Sequence, residues 1–154
     1  LAKLLANAMV SAWDISPDAI AIAARNAQKN GCEVAFSQID VLTYCPPANS
    51  TLYDVIVSNP PYVTMAEKQA MHVNVLEHEP HLALFVEDGD PLLFYRKIAN
   101  LGRAMLNSGG WLYFEINEQF GGEMVDMLKD IGYERIECRA DIHEKKRMVK
   151  AVWP

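Results

Sequence analysis

Met9-Val10-Ser11-Ala12-Trp13-Asp14-Ile15-Ser16-Pro17-Asp18 joins a short apolar run to a capped helix start, and that junction decides the fold class. The run from Met9 to Trp13 has the length and composition of a strand. Ser16 can then accept a backbone N–H of the first helical turn. Pro17 stands at the first helical position, where its missing donor costs nothing. Ala19, Ile22, Ala23 and Ala27 share one face of the helix that follows, and Gly31 ends it.

The same alternation continues outward. Further β-rich runs are Glu33 to Phe36, Tyr53 to Val57, Trp111 to Ile116, Tyr133 to Cys138 and Met148 to Trp153. A second helix reads from Asp90-Pro91 to about Asn107, with Leu92, Tyr95, Ile98, Leu101 and Met105 at helical spacing, and Ser108-Gly109-Gly110 as its stop. A third runs from about Glu118 to Asp130, with Val125 and Leu128 inward, before Gly132. Strands alternating with helices imply an α/β fold whose sheet is mostly parallel and covered on both faces. The last two runs are separated only by Arg139 to Arg147, too short for a helix. They are expected to pair antiparallel near the C-terminus. Pro46 to Thr51 is a loop by composition, and the polar stretch from Val63 to about Gly89 has the length of a functional loop, with a short helix around Glu67 to Val75.

Half of the 154 residues are apolar (51%), which suits one globular domain with a real core. No uninterrupted apolar stretch has the length of a membrane span, and Leu1-Ala2-Lys3-Leu4-Leu5 lacks the layout of a secretory signal, so the expectation is a soluble cytoplasmic protein without membrane contact. The three cysteines, Cys32, Cys45 and Cys138, are far apart and suggest neither a disulfide framework nor a zinc site. A formal net charge of -6 lacks the electrostatic footprint of a protein that grips a phosphate backbone, so direct nucleic-acid binding is not expected.

Open α/β sheets bind ligands at the carboxyl ends of their strands. Asp14, Asp40, Asn59 and Glu115 are the polar residues that the reading places there. Asp14 admits two readings: a carboxylate accepting both hydroxyls of a ribose, or a helix N-terminal charge beside Ser16. Asp40 can accept an adenine amine while Val41 gives its backbone N–H to a ring nitrogen, or it can be a solvated loop acid. Asn59-Pro60-Pro61-Tyr62 is more specific. Two successive prolines fix the backbone and remove two donors, leaving the carbonyls of Asn59 and Pro60, with the Asn59 side chain, as acceptors for an NH₂ group. Tyr62 can stack on a flat amide or base. Glu79-Pro80 separates His78 from His81 and prevents a helix from presenting both to one metal, so no metal is expected. Met65, Met71 and Met105 read as packing residues, and Lys145-Lys146-Arg147 as a solvated turn.

These residues resemble a known family, the class I methyltransferases that modify the glutamine amide of peptide chain release factors (HemK/PrmC, protein-(glutamine N5) methyltransferases). The resemblance rests on Asp14-Ile15-Ser16-Pro17-Asp18-Ala19, on Asp54 to Val63 with its Asn59-Pro60-Pro61-Tyr62, on Glu79-Pro80-His81-Leu82-Ala83-Leu84, and on Asp88 to Arg96. It implies a Rossmann-like class I methyltransferase sheet, S-adenosyl-L-methionine as donor, S-adenosyl-L-homocysteine as product, and release factors as protein substrate. By position, Asp14 with neighbouring Ile15 would bind the cofactor ribose and Asp40 with Val41 the adenine. Asn59 with the Pro60 carbonyl would hold the glutamine amide, Asn59 also serving the cofactor, while Pro61 would line the substrate site and Tyr62 would flank the substrate. Asp90-Pro91 departs from a more usual Gly-Leu, and Glu115-Ile116-Asn117 from Glu-Ile-Gly.

The resemblance also implies a first strand and a glycine-rich loop ahead of residue 1, preceded by a helical substrate domain, with Leu1 to Ala8 as the tail of the helix after that loop. Residues 1–154 are then expected to be an N-terminally truncated catalytic domain. Two rival functions stay open: methylation of an exocyclic amine in DNA or RNA, which the same motif can grip, and a non-catalytic binding subunit.

Overall fold

In the computed structural model of the chain, which describes residues 1–5, 7–64, 85–86 and 89–154, the run from Met9 becomes a strand at Ser11–Asp14 (β1), followed by helix Pro17–Lys29 (α1) and strand Ala35–Gln38 (β2). These elements belong to a first unit, residues 1–44, and the remainder forms a second, residues 45–154. In the first unit, β1 and β2 run parallel, with Ser11 opposite Ala35 and Asp14 opposite Gln38. Ser16 caps α1 by accepting the Ala19 N–H at 3.2 Å. The second strand starts two residues later than expected, because the Cys32 N–H still bonds the Ala27 carbonyl at 2.9 Å and the chain reverses direction through Gly31 at φ +64°. Ile20, not Ile22, joins Ala19, Ala23 and Ala27 on the half-buried stripe of α1. Of Leu1 to Ala8, expected as a helix tail, the described residues form isolated turns such as Leu5 N–H to Leu1 carbonyl at 3.0 Å. Such isolated bonds are too few to sustain a helix.

The second unit contains strands Tyr53–Ser58 (β3), Val63–Thr64 (β4), Phe85–Val86 (β5), Leu106–Glu115 (β6), Glu134–Ala140 (β7) and Lys146–Val152 (β8), with helices Leu93–Met105 (α2) and Gly121–Ile131 (α3). Its main sheet has the order β3-β6-β8-β7. β3 and β6 are parallel, with Ser58 opposite Phe114, and β8 runs antiparallel to both β6 and β7. The expected parallel pairing with an antiparallel C-terminal end is the architecture found, but among the described residues the main sheet is covered on one face and not, as expected, on both. A separate two-stranded pairing of β4 with β5, Val63 opposite Phe85, lies within the stretch read as a loop. The short helix expected at Glu67 to Val75, the pair His78 and His81, Met65, Met71 and the segment Glu79 to Leu84 lie outside the described residues.

One boundary is corrected by pairing. Ser108-Gly109-Gly110 was expected to stop the second helix, but α2 ends at Met105 and these residues lie inside β6. Leu106 already pairs with Tyr53, and the register shifts before Val55. Gly109 bonds the Trp153 carbonyl at 2.8 Å with φ +80°, a conformation that favours glycine. The third helix likewise begins as a 3₁₀ turn at Glu118–Phe120, capped by the Asn117 side chain, and becomes α-helical only at Gly121. It ends at Gly132, φ +106°.

The core of this unit forms where α2 and α3 cover one face of the sheet. Tyr95, Ile98, Met105, Met124 and Leu128 of the helices and Leu112, Phe114, Val149 and Ala151 of the strands are all buried there, with the Tyr95 and Phe114 rings 5.3 Å apart. Alternation along the strands sends Val55, Val57, Tyr113 and Met148 to the opposite face, where they are exposed. Among the described residues, no helix is long and apolar enough to cross a membrane.

Candidate functional site

Asn59 leaves β3 beside the end of β6, because the parallel register sets Ser58 opposite Phe114. Asn59 is exposed, Pro60 is buried, and Pro61 and Tyr62 are half-buried. The segment thus turns inward immediately after presenting Asn59. Tyr62 is attached at two points: its hydroxyl donates to Glu115 Oε1 at 3.2 Å, and its carbonyl accepts from Asn117 Nδ2 at 3.1 Å. Glu115 is itself fixed through its backbone carbonyl, which accepts the Tyr95 hydroxyl at 3.2 Å.

On the open face of the sheet, a groove of about 340 Å³ runs past Asn59, Tyr113, Glu115, Arg139 and Met148. Its floor is largely apolar and its far wall is charged. There Glu137 pairs with Arg139, and with Lys150 at 2.8 Å. The hydrogen bonds from Arg139 and then Lys150 hold the Glu137 carboxyl down at about 2. Lys150 in turn lies 5.1 Å from the Trp111 ring. A groove of this kind offers a flat apolar bed with acceptors at one end, which suits an amide-bearing side chain.

The first unit gathers the other candidates at the ends of its two strands. Asp14 is exposed, and its Oδ1 accepts the Ser16 N–H at 2.8 Å. The Ile15 carbonyl accepts Gln38 Nε2 at 3.1 Å, and the Ile39 N–H reaches the Asp14 carbonyl at 2.9 Å, which ties the two strand ends together. Asp40 follows at once. Its Oδ1 accepts the Leu42 N–H at 2.9 Å and its Oδ2 the Thr43 hydroxyl at 3.2 Å, so the carboxylate also shapes its own turn. The structure therefore brings Asp14, Ile15, Asp40 and Val41 to one edge of the first unit, and Asn59 to Tyr62 with Glu115 to one edge of the second.

Sequence reasoning put Glu115 at a strand end without a partner, and missed Tyr95, Asn117, Arg139 and Met148. The only signal for Asn117 was its departure from the Glu-Ile-Gly pattern.

The methyltransferase small domain family matches residues 1–89. The chain is 49% identical over 151 residues to a release factor glutamine methyltransferase of Bacteroides thetaiotaomicron, covering 98% of this chain and 54% of that protein. It is 47% identical over 150 residues to the protein of the same name from Flavobacterium psychrophilum, covering 97% and 52%. The chain spans about half the length of the curated relatives it matches. In fold it is similar to the crystal structure of a methyltransferase from Pyrococcus furiosus, with a TM-score of 0.67 at 17% identity, covering 98% of this chain and 66% of that one.

Proposed function

The chain belongs to the methyltransferase small domain family, and we propose that it carries the greater part of a catalytic domain that transfers a methyl group from S-adenosyl-L-methionine to the side-chain amide nitrogen of a glutamine in a peptide chain release factor. The observation that supports this most is the display of exposed Asn59 ahead of buried Pro60, with Tyr62 anchored behind them. The names of the relatives at 49% and 47% identity point to the same substrate.

The residues of the first unit suit the nucleoside part of the cofactor. Asp14 is exposed at a strand end, where its carboxylate can accept ribose hydroxyls, while the Val41 N–H has no acceptor among the described residues and is available to an adenine nitrogen. When bound, the cofactor supplies an electrophilic methyl on a sulfonium. The Asn59 side-chain oxygen and the Pro60 carbonyl would accept the two N–H bonds of the target amide. Pro60 and Pro61 carry no N–H groups to compete for those acceptors. An amide lone pair is delocalised into its carbonyl, so acceptors that favour a pyramidal nitrogen act mainly in the transition state. No strong base is needed before attack, because the nitrogen proton becomes acidic as the cationic product forms.

We further propose that an additional strand, from chain outside residues 1–154, pairs with the edge of β3. That edge has no strand partner among the described residues.

The whole gene product should be incubated with release factor and labelled S-adenosyl-L-methionine, and the methyl located by mass spectrometry. The expected site is a glutamine side chain. Label found on nucleic acid alone would replace this reading with methylation of an exocyclic base amine.

A further inference from the structure

We propose that Asn117 is a positioning residue, which together with Glu115 clamps Tyr62 and thereby fixes the orientation in which Asn59 is presented. The proposal rests on the reading of Asn59 as the acceptor for the target amide. Asn117 is 4% exposed and uses both ends of its side chain: Oδ1 accepts the Gln119 N–H at 3.0 Å, and Nδ2 donates to the Tyr62 carbonyl at 3.1 Å. A glycine here could do neither, and an aspartate could only accept. The platform beneath is buried. Tyr95, with no exposure, donates to the Glu115 carbonyl at 3.2 Å. Glu115 and Asn117 thus hold the hydroxyl and the carbonyl of one residue across the β6 end.

The clamp reaches Asn59 through the two prolines. With φ locked at Pro60 and Pro61, few soft torsions remain between Asn59 and Tyr62, so a Tyr62 held at both ends leaves the Asn59 carbonyl, and the direction in which its side chain departs, little freedom. Preorganised acceptors stabilise a transition state without reorganising during the reaction. The departure from Glu-Ile-Gly supplies a second fastening in this chain.

Asn117→Asp tests this, because it keeps the cap on Gln119 and removes the donor to Tyr62; Asn117→Gly removes both. In the whole gene product, hydrogen exchange across residues 59–64 should speed up in both variants while exchange in α2 and β8 stays as in the wild type. With release factor as substrate, kcat should fall roughly tenfold in Asn117→Asp, the scale of one lost hydrogen bond, with the KM for S-adenosyl-L-methionine unchanged. Unchanged exchange across residues 59–64 in both variants would overturn the clamp, whatever the kinetics. A wild-type protein that leaves release factor unmethylated would overturn the proposed function instead, and the exchange measurement would still decide the clamp.

Discussion

The Tyr95 hydroxyl donates to the Glu115 carbonyl at 3.2 Å from a side chain with no solvent exposure, joining the middle of the core to the rim of the groove. Tyr95→Phe should therefore lower unfolding stability by about 1 to 3 kcal/mol, the usual cost of leaving a shielded polar group without its partner. Urea unfolding monitored by circular dichroism measures it. A variant as stable as the wild type would mean that water replaces the phenol at Glu115.

Burial pushes the Tyr95 and Tyr133 phenols well above their ordinary value of 10.0. The folded chain then holds these protons more tightly than the unfolded chain, so their contribution is complete below that ordinary value and is lost as pH rises through the folded values. Unfolding free energy should decline from pH 10 upward, and more steeply in the wild type than in a Tyr95→Phe, Tyr133→Phe double variant. Parallel slopes would show that neither phenol governs alkaline stability.

Gly102 lies where α2 crosses the end of Tyr133. A Cβ there would meet the Tyr133 hydroxyl, which donates to the Ala99 carbonyl at 2.9 Å and cannot move without breaking that bond. Gly102→Ala should destabilise by about 1 to 3 kcal/mol, although alanine is the better helix former, because overpacking outweighs propensity. Combining it with Tyr133→Phe should recover part of the loss. No recovery would move the clash elsewhere.

The fold was legible where local chemistry and tertiary pairing agree. Ser16 and Pro17 announce α1, and the apolar spacing of Ile98, Leu101 and Met105 survives as the buried face of α2. Ser108-Gly109-Gly110 misled, because two adjacent glycines read as a stop. The bonds that keep Gly109 and Gly110 in β6 come from Trp153, and the strand's start at Leu106 is set by its pairing with Tyr53, both far along the chain. The site divides the same way. Asn59-Pro60-Pro61-Tyr62 carries its chemistry in its own residue types, whereas its supports at Glu115 and Asn117 are 53 and 55 residues from Tyr62, a distance that no local pattern spans.

Asp14 separates two roles in one variant. If its carboxylate binds the cofactor ribose, Asp14→Ala should weaken S-adenosyl-L-methionine binding by about 1.5 to 3 kcal/mol per charge-assisted hydrogen bond lost. If the bond from the Ser16 N–H at 2.8 Å is its whole task, the loss should fall on thermal stability and spare affinity. Calorimetric titration and thermal unfolding of the whole gene product give both numbers, and unchanged affinity returns Asp14 to the helix start.

Asn59→Ala should lower turnover on release factor by roughly a hundredfold or more, the scale seen when one preorganised hydrogen-bonding group is removed from a site sheltered from water. Its effect should be confined to the chemical step. Asn59 is exposed, so its truncation leaves no cavity, and the turn behind it stays fastened by Tyr62 to Glu115 and Asn117. Thermal unfolding should accordingly match the wild type, and cofactor affinity should change little, because Asp14 and Asp40 are expected to carry most of the cofactor contacts. Asn59→Asp keeps the side-chain acceptor but places a charge beside the Pro60 carbonyl. A carboxylate would hold the amide N–H bonds too, so this variant should retain more activity than Asn59→Ala if accepting those bonds is what the residue does. Single-turnover kinetics on the three proteins separates binding from chemistry. Near-normal turnover by Asn59→Ala would mean that the Pro60 carbonyl alone orients the amide, and that the assignment of Asn59 is wrong.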